Sequence, residues 1–214
     1  MPLLVSFLRT NKSDLIRAES ACALAYICLD NKDHAKQLLD QLQFSYSELF
    51  DLLAKACPDS RLALTKALAI FAYNSPEQEK AIKSCCLLDS QPFDALMRSE
   101  NETEVCEAAY QTILLAQLIF NKEPSKLIMR GMRLLIGYFE AKSTHINLRC
   151  FVAEKLVSLS RLKNGIAEAL LDIDFVHILW RSLSIENEAF RGYVAIALSN
   201  LSAIPDGKRK LLKM

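Results

Sequence analysis

Residues 195–203 read AIALSNLSA, an apolar run in which Ala and Leu are mixed with small polar side chains. Four earlier segments carry small and aliphatic residues in the same order: ACALAYICL at 21–29, TKALAIFAY at 65–73, TILLAQLIF at 112–120 and AEKLVSLSR at 153–161. Aligned on Ala23, Ala67, Leu114, Lys155 and Ala197, successive markers lie 44, 47, 41 and 42 residues apart. A period of roughly 40–47 residues is typical of helical solenoids.

The segments between these runs repeat as well. After the first of these runs, a polar loop, DNKDH at 30–34, leads into a short amphipathic segment, AKQLLD at 35–40. A longer apolar segment, SELFDLLAK, follows at 47–55. Each unit therefore predicts a short, a medium and a long helix. The long helix is apolar on most of its faces, as expected for an element that neighbouring units cover. Expected starts of long helices are Asp14 and either Asn101 or Glu102.

These segments resemble the armadillo repeat family. Residues 2–40, PLLVSFLRTNKSDLIRAESACALAYICLDNKDHAKQLLD, have the family layout throughout, and ALSNL at 197–201 is its characteristic motif. The resemblance covers essentially the whole chain, and HEAT repeats are the close alternative for individual units. It implies an all-α fold, a right-handed α–α superhelix (solenoid) of about five repeats with partial units at both ends.

The repeat pattern predicts one solenoid domain over residues 1–214, in units of roughly 1–34, 35–78, 79–124, 125–164 and 165–206 with a partial unit at 207–214. Because both ends cut through a unit, we expect a piece or short isoform of a longer array. The Gly turn usual between the first and second helices is present at Gly131. The corresponding junctions at 40–43, 88–91 and 172–174 lack it and are expected to be irregular.

Composition favours the same fold class and disfavours several functions. Apolar residues are 51%, charged residues 24%, and five glycines are too few for sandwiches, barrels or Gly-rich nucleotide-binding sheets. The net charge of +1 disfavours nucleic-acid binding. Lys208, Arg209, Lys210 and Lys213 are interpreted as a solvated helix end. Seven cysteines without a CxxC pair indicate reduced thiols, hence the cytoplasm or nucleus. Neither a secretory signal nor a membrane span is expected.

No motif of catalysis or metal binding is found in the sequence. The three histidines fall in different units, and a His145–Cys150 dyad is outweighed by structural roles for both residues. Acidic pairs such as Glu102 and Glu104 complement a helix N-terminus. We therefore expect no enzyme activity, no catalytic, metal or cofactor-binding residues, no cofactor and no small-molecule substrate.

The resemblance also implies where partners bind, since in the family the long third helices line a concave groove that takes an extended peptide. Nuclear-import receptors of the importin-α type use a Trp and, four residues on, an Asn. The Trp position holds Cys22, Lys66, Ile113, Glu154 and Ile196, and the Asn position holds Tyr26, Ile70, Gln117, Ser158 and Asn200. Import-signal binding is disfavoured, because Asn200 alone matches. A basic, catenin-like groove is disfavoured as well, because Lys66 is the one basic residue in these rows.

The row one turn earlier reads Glu19, Ala63, Tyr110, Phe151 and Tyr193. Two interpretations of Tyr26, Tyr110 and Tyr193 stay open: aromatic anchors for a partner, or side chains packed between repeats. The expected protein-binding ladder comprises Glu19, Cys22, Tyr26, Lys66, Ile70, Tyr110, Gln117, Glu154, Ser158, Tyr193 and Asn200.

The expected function is that of a non-catalytic scaffold or adaptor that binds a protein or extended peptide. Two alternatives remain open. The chain is either a structural segment of a longer repeat array that spaces other domains, or a regulatory or assembly-chaperone subunit.

Overall fold

The computed structural model describes residues 1–85, 97–119, 124–162 and 166–214, without the side chains of residues 58, 117–119 and 124. Every regular element in this part of the chain is a helix, which confirms the all-α prediction for it. The chain divides into two compact units, Met1–Leu127 and Ile128–Met214.

The first unit contains the predicted succession of short, medium and long helices. Its elements are α1 (Pro2–Thr10), α2 (Asp14–Cys28), α3 (Lys32–Lys36) continued by a π-helical turn at Gln37–Gln41, α4 (Tyr46–Lys55), α5 (Pro58–Asn74), α6 (Pro76–Cys85) and α7 (Glu102–Ile119). Helices α3, α4 and α5 form one complete repeat. The long third helices of the first unit are α2, α5 and α7. The apolar segment at 92–96, expected as the second helix of the third repeat, lies outside the described residues.

The second unit repeats the same order. After α8 (Pro124–Glu140) come α9 (Ile146–Ser160), α10 (Ile166–Asp172), α11 (Phe175–Ser182), α12 (Glu188–Ser202) and α13 (Pro205–Leu211). Helices α10, α11 and α12 are the short, medium and long members of one repeat. The third helices α9 and α12 pack against each other.

The five third helices begin at nearly equal intervals along the chain. They follow Ser13, Cys57, Asn101, His145 and Asn187, which are 44, 44, 44 and 42 residues apart. Polar side chains at four of these N-cap positions accept a backbone N–H of the first turn, as in the bond from Phe190 N to Asn187 Oδ1 of 2.8 Å. The expected starts at Asp14 and Glu102 are thereby confirmed.

This spacing corrects the alignment of α7. The residue equivalent to Ala23 and Ala67 is Gln111, three positions before the Leu114 marker that gave the uneven intervals of 47 and 41. Two hydrogen bonds between helices support the new register. Cys22 Sγ on α2 donates to Ala63 O on α5, and Tyr73 Oη on α5 donates to Leu114 O on α7. Donor and acceptor are 41 residues apart in both bonds, so the two helix pairs are offset by the same number of residues. Gln111 is buried and donates to Glu107 Oε1, so a polar residue occupies the position that is Ala in α2, α5 and α12.

Gly131 does not form the expected turn, since α8 continues through it. A glycine inside a helix costs about 1 kcal/mol relative to Ala. Ile128, Met132, Leu135 and Phe139 form one buried stripe along this continuous helix. Burying each such side chain contributes about 1.5–3 kcal/mol, which outweighs the cost of the glycine.

The junctions at 40–43 and 172–174 are irregular, as predicted; the one at 88–91 lies outside the described residues. Gln43 and Asp174 have left-handed backbones with φ of 48° and 57°. Arg9 on α1 holds the first of these turns. Its guanidinium donates to Gln43 O at 2.9 Å and makes two 2.8 Å bonds to the Glu48 carboxylate. The hydrogen bond from Arg9 is the main reason why the pKa of Glu48 is lowered.

We expect Gln43→Gly to raise the free energy of unfolding by about 0.5–1 kcal/mol. A residue with a Cβ pays for a left-handed backbone, and this gain exceeds the added freedom of glycine in the unfolded chain. Urea denaturation followed by circular dichroism measures the change. The matched control is Gln37→Gly, at a helical φ of −58°, which should lose about 1 kcal/mol. A Gln43→Gly variant less stable than the parent would contradict the strained turn.

Candidate protein-binding surface

Residues six, nine and thirteen positions after each N-cap lie on one side of a third helix, because steps of three and four residues return to the same face. We call this set the third-helix face. It comprises Glu19, Cys22 and Tyr26 on α2, Ala63, Lys66 and Ile70 on α5, Glu107, Tyr110 and Leu114 on α7, Phe151, Glu154 and Ser158 on α9, and Tyr193, Ile196 and Asn200 on α12.

The corrected register changes the members contributed by α7. Tyr110 stays on the face but moves to the position of Lys66, and Glu107 takes the place that had been assigned to Tyr110. Leu114 replaces Gln117, whose side chain lies outside the described residues. Ile113, assigned to the Trp position, is fully buried. The 44-residue spacing of Asn101 from Cys57 was the signal in the sequence that would have found this register.

In the first unit, Lys66 of α5 lies next to Tyr26 of α2. Its Nζ lies 5.6 Å from the centroid of the Tyr26 ring, and Tyr26 is 50% exposed. Burial acts to lower the pKa of Lys66, but the interaction with the Tyr26 hydroxyl, followed by the charges of Cys22 and Glu107, raises it by more. Lys66 is therefore a persistent cation next to an exposed aromatic side chain.

Tyr73 extends the face toward the C-terminal end of α5, and the sequence analysis did not find it. Its side chain is 46% exposed while its hydroxyl donates to Leu114 O at 3.0 Å. Burial, followed by the charges of Tyr110 and Glu79, raises the pKa of Tyr73 to about 12. The phenol therefore stays protonated and joins α5 to α7 while its ring remains accessible.

Cys22 does not line an accessible surface, contrary to the expectation. It is 6% exposed, and its Sγ donates to Ala63 O at 2.9 Å. Burial is the largest cause that raises the pKa of this thiol, to about 11. Cys22 is thus a small packing residue between α2 and α5.

The second unit presents a face of similar composition. Phe151 is half-buried with the Lys155 ammonium 4.7 Å from its ring centroid, Glu154 is exposed, and Ile196 is 40% exposed. Asn200, which matches the family motif, is held by α9, because its Nδ2 donates to Ser160 Oγ at 2.9 Å. Tyr193 and Ser158 are half-buried.

Residues that suggested other chemistry have structural partners. His145 Nδ1 accepts from Asn147 N at 3.2 Å as the cap of α9, whereas Cys150 Sγ approaches Asn187 Oδ1 at 3.6 Å. Among the described residues, no three His, Cys, Asp or Glu side chains are placed to hold a metal ion. Helices in the described ranges are too short or too polar to cross a bilayer. The six described cysteines are free.

Two curated proteins match nearly the whole chain. An ankyrin and armadillo repeat-containing protein of Mus musculus is 31% identical over 212 residues, covering 99% of this chain and 14% of its own length. The Homo sapiens protein of the same description is 29% identical over 213 residues, with 99% and 15% covered. The chain thus spans about one seventh of the length of these relatives. No family model matches.

Solved structures match the same extent of the chain. A designed armadillo repeat protein superposes with a TM-score of 0.62 at 18% identity, covering 99% of this chain and 87% of the other. A second, solved in complex with the peptide (KR)4, gives a TM-score of 0.62 at 17% identity, covering 99% and 86%. The fold is therefore an all-α solenoid of the armadillo class. The chain is thus built of armadillo-type helical repeats.

The register of α7 can be tested by thiol labelling. We expect Tyr110→Cys to react with a maleimide at least about tenfold faster than Ile113→Cys, because Tyr110 is half-buried and Ile113 is fully buried. Mass spectrometry of the labelled peptides measures both rates. Exposed Cys57 and buried Cys106, whose pKa burial raises to about 12, are internal references within each sample. Faster labelling at position 113 would restore the alignment on Leu114.

Proposed function

We propose that this chain is a non-catalytic protein-binding module that holds an extended peptide or protein segment against the third-helix face within each unit. The observation that carries the proposal is the line of accessible aromatic side chains on that face, with Tyr26 and Tyr73 each about half-exposed. Tyrosine combines a large apolar area with a polar hydroxyl, and it is enriched at protein interfaces.

The spacing of the helices supports an extended ligand. Packed helices lie about 8–10 Å apart, and an extended chain advances about 3.3 Å per residue, so each repeat matches about two to three ligand residues. Equivalent positions on successive third helices would then meet every second or third ligand residue. One designed neighbour of the same fold holds the peptide (KR)4. At 17% identity this supports the binding mode and leaves the ligand sequence open.

The free thiols of the six described cysteines support a role in the cytoplasm or nucleus, which the cysteine pattern of the sequence also favoured. Cys28 is buried, and burial raises its pKa to about 11, so it behaves as a small apolar residue of the core. Protein or peptide partners, rather than small-molecule substrates or nucleic acids, are the ligands that we infer.

The double variant Tyr110→Ala with Tyr193→Ala tests the proposal in both units. Loss of two aromatic anchors should weaken binding of a selected peptide at least about tenfold, since each anchor residue contributes on the order of 2 kcal/mol. Peptides are selected from a displayed random library, and their affinities are measured by fluorescence anisotropy. Circular dichroism checks that the variant keeps its helices.

Trp180→Ala is the matched control. Trp180 is as exposed as Tyr26 but lies on α11, a second helix, outside the third-helix face. Its loss should leave peptide affinity unchanged within about twofold, because no face residue is removed. Equal affinity of the folded double variant and the parent would remove the third-helix face from consideration as the binding surface.

A second candidate function is that of a segment in a longer repeat array, and one position favours it. The position lies fourteen residues after the N-cap of each third helix. Phe71, Leu115 and Leu201 occupy it on α5, α7 and α12, and all three are fully buried. Each of these helices packs against the third helix that precedes it in its unit. The equivalent Ile27 on α2 is 37% exposed. This is the side of α2 on which a further repeat would pack.

We expect that fusing one designed armadillo repeat ahead of residue 1 raises the free energy of unfolding by about 1–2 kcal/mol, because the repeat covers Ile27 and its neighbours. Urea denaturation measures the gain, and Ile27→Glu in the fusion should abolish it by burying a charge. A fusion that gains nothing, or gains equally with Ile27→Glu, would argue against a stacking surface at α2.

A further inference from the structure

Lys66 places its charged end against an aromatic side chain of a neighbouring third helix. From α2, Tyr26 offers its ring and hydroxyl, with the ring centroid 5.6 Å from Nζ. From α7, the Glu107 carboxylate adds a negative charge. Lys66 itself is half-buried on α5.

An aromatic face is a surface that recognises a cationic side chain. In the first unit the cation that uses the Tyr26 ring is supplied by the protein itself. A Lys or Arg side chain of a ligand that approached Tyr26 would meet the ammonium of Lys66, a like charge at short range. A ligand carboxylate is disfavoured as well, because Glu19 and Glu107 lie on either side of Lys66 along the face.

We propose that Lys66 is a specificity-determining residue that fills the cation-binding position of the first unit's third-helix face and thereby excludes cationic peptides in favour of segments uncharged at that point. This inference rests on the proposed peptide-binding function. The raised pKa of Lys66 agrees with it, because a lysine protonated throughout the physiological range keeps the position occupied.

The experiment measures binding of a fluorescein-labelled peptide of alternating Lys and Arg by anisotropy at constant ionic strength. Lys66→Met keeps an unbranched apolar stem and removes the charge. We expect it to bind the peptide at least about tenfold more tightly than the parent protein, because the Tyr26 ring becomes available to a ligand cation and the repelling ammonium is gone. Lys66→Arg, which keeps the charge over the ring, should leave binding as weak as in the parent.

Lys55→Met is the control for net charge, since Lys55 is exposed on α4, outside the third-helix face. It should not reproduce the gain. Adding Tyr26→Ala to Lys66→Met should reverse the gain, because the aromatic half of the position is lost. Circular dichroism checks the fold of each variant.

Equal gains in Lys66→Met and Lys55→Met would overturn the proposal, because they would reduce the effect to overall charge. A folded Lys66→Met variant that gains no affinity would overturn it as well. Failure of the binding function is recognised separately, since in that case library-selected peptides bind no better to the parent than to the Tyr110→Ala, Tyr193→Ala double variant.

Discussion

Close packing between successive third helices is the constraint on which the other features depend. On α2, the small residues Ala21, Ala25 and Cys28 are almost fully buried, and they let α5 come near enough for a thiol on one helix to reach a backbone carbonyl on the next. In the second unit, Ala153 and Ser160 on α9 are buried in the same way. Larger side chains at these positions would separate the helices. Because the packing fixes how each third helix is rotated, it also fixes which residues of that helix remain accessible.

The sequence was informative wherever apolar periodicity and turn chemistry agreed. Helix α2 follows a polar segment at 11–13, α5 begins with Pro58, and both contain a small-residue run, so their positions and faces follow from the sequence alone. In α7 the two signals conflict. Gln111 and Thr112 place buried polar groups where α2 and α5 have Ala and Leu, whereas the more apolar stretch begins later. An alignment on hydrophobicity therefore shifts by almost one turn, and only the N-cap at Asn101 preserves the true register. Gly131 illustrates the opposite error, since burial of a helical stripe overrode a residue usually read as a turn.

Cations of the chain lie against its aromatic rings in both units. The Arg149 guanidinium is 4.9 Å from the Phe190 ring centroid and donates from Nε to Phe139 O at 2.8 Å, and Lys155 lies over Phe151. Arg17 makes the same bond in the first unit, from Nε to Leu8 O at 2.8 Å. These arginines tie the start of a third helix to the end of the helix before it. The net charge is near zero, yet the charged side chains are placed in an ordered way. The overall composition does not predict this arrangement.

The bonds of Arg9 have a consequence for modularity. The left-handed turn at Gln43 and the nearby Glu48 belong to one repeat. Arg9, whose guanidinium donates to both, belongs to the repeat before it. A cassette cut at the loops between repeats would leave that arginine behind. Transplantation of this repeat into another scaffold must therefore carry α1 along, so the smallest exchangeable piece is longer than one period.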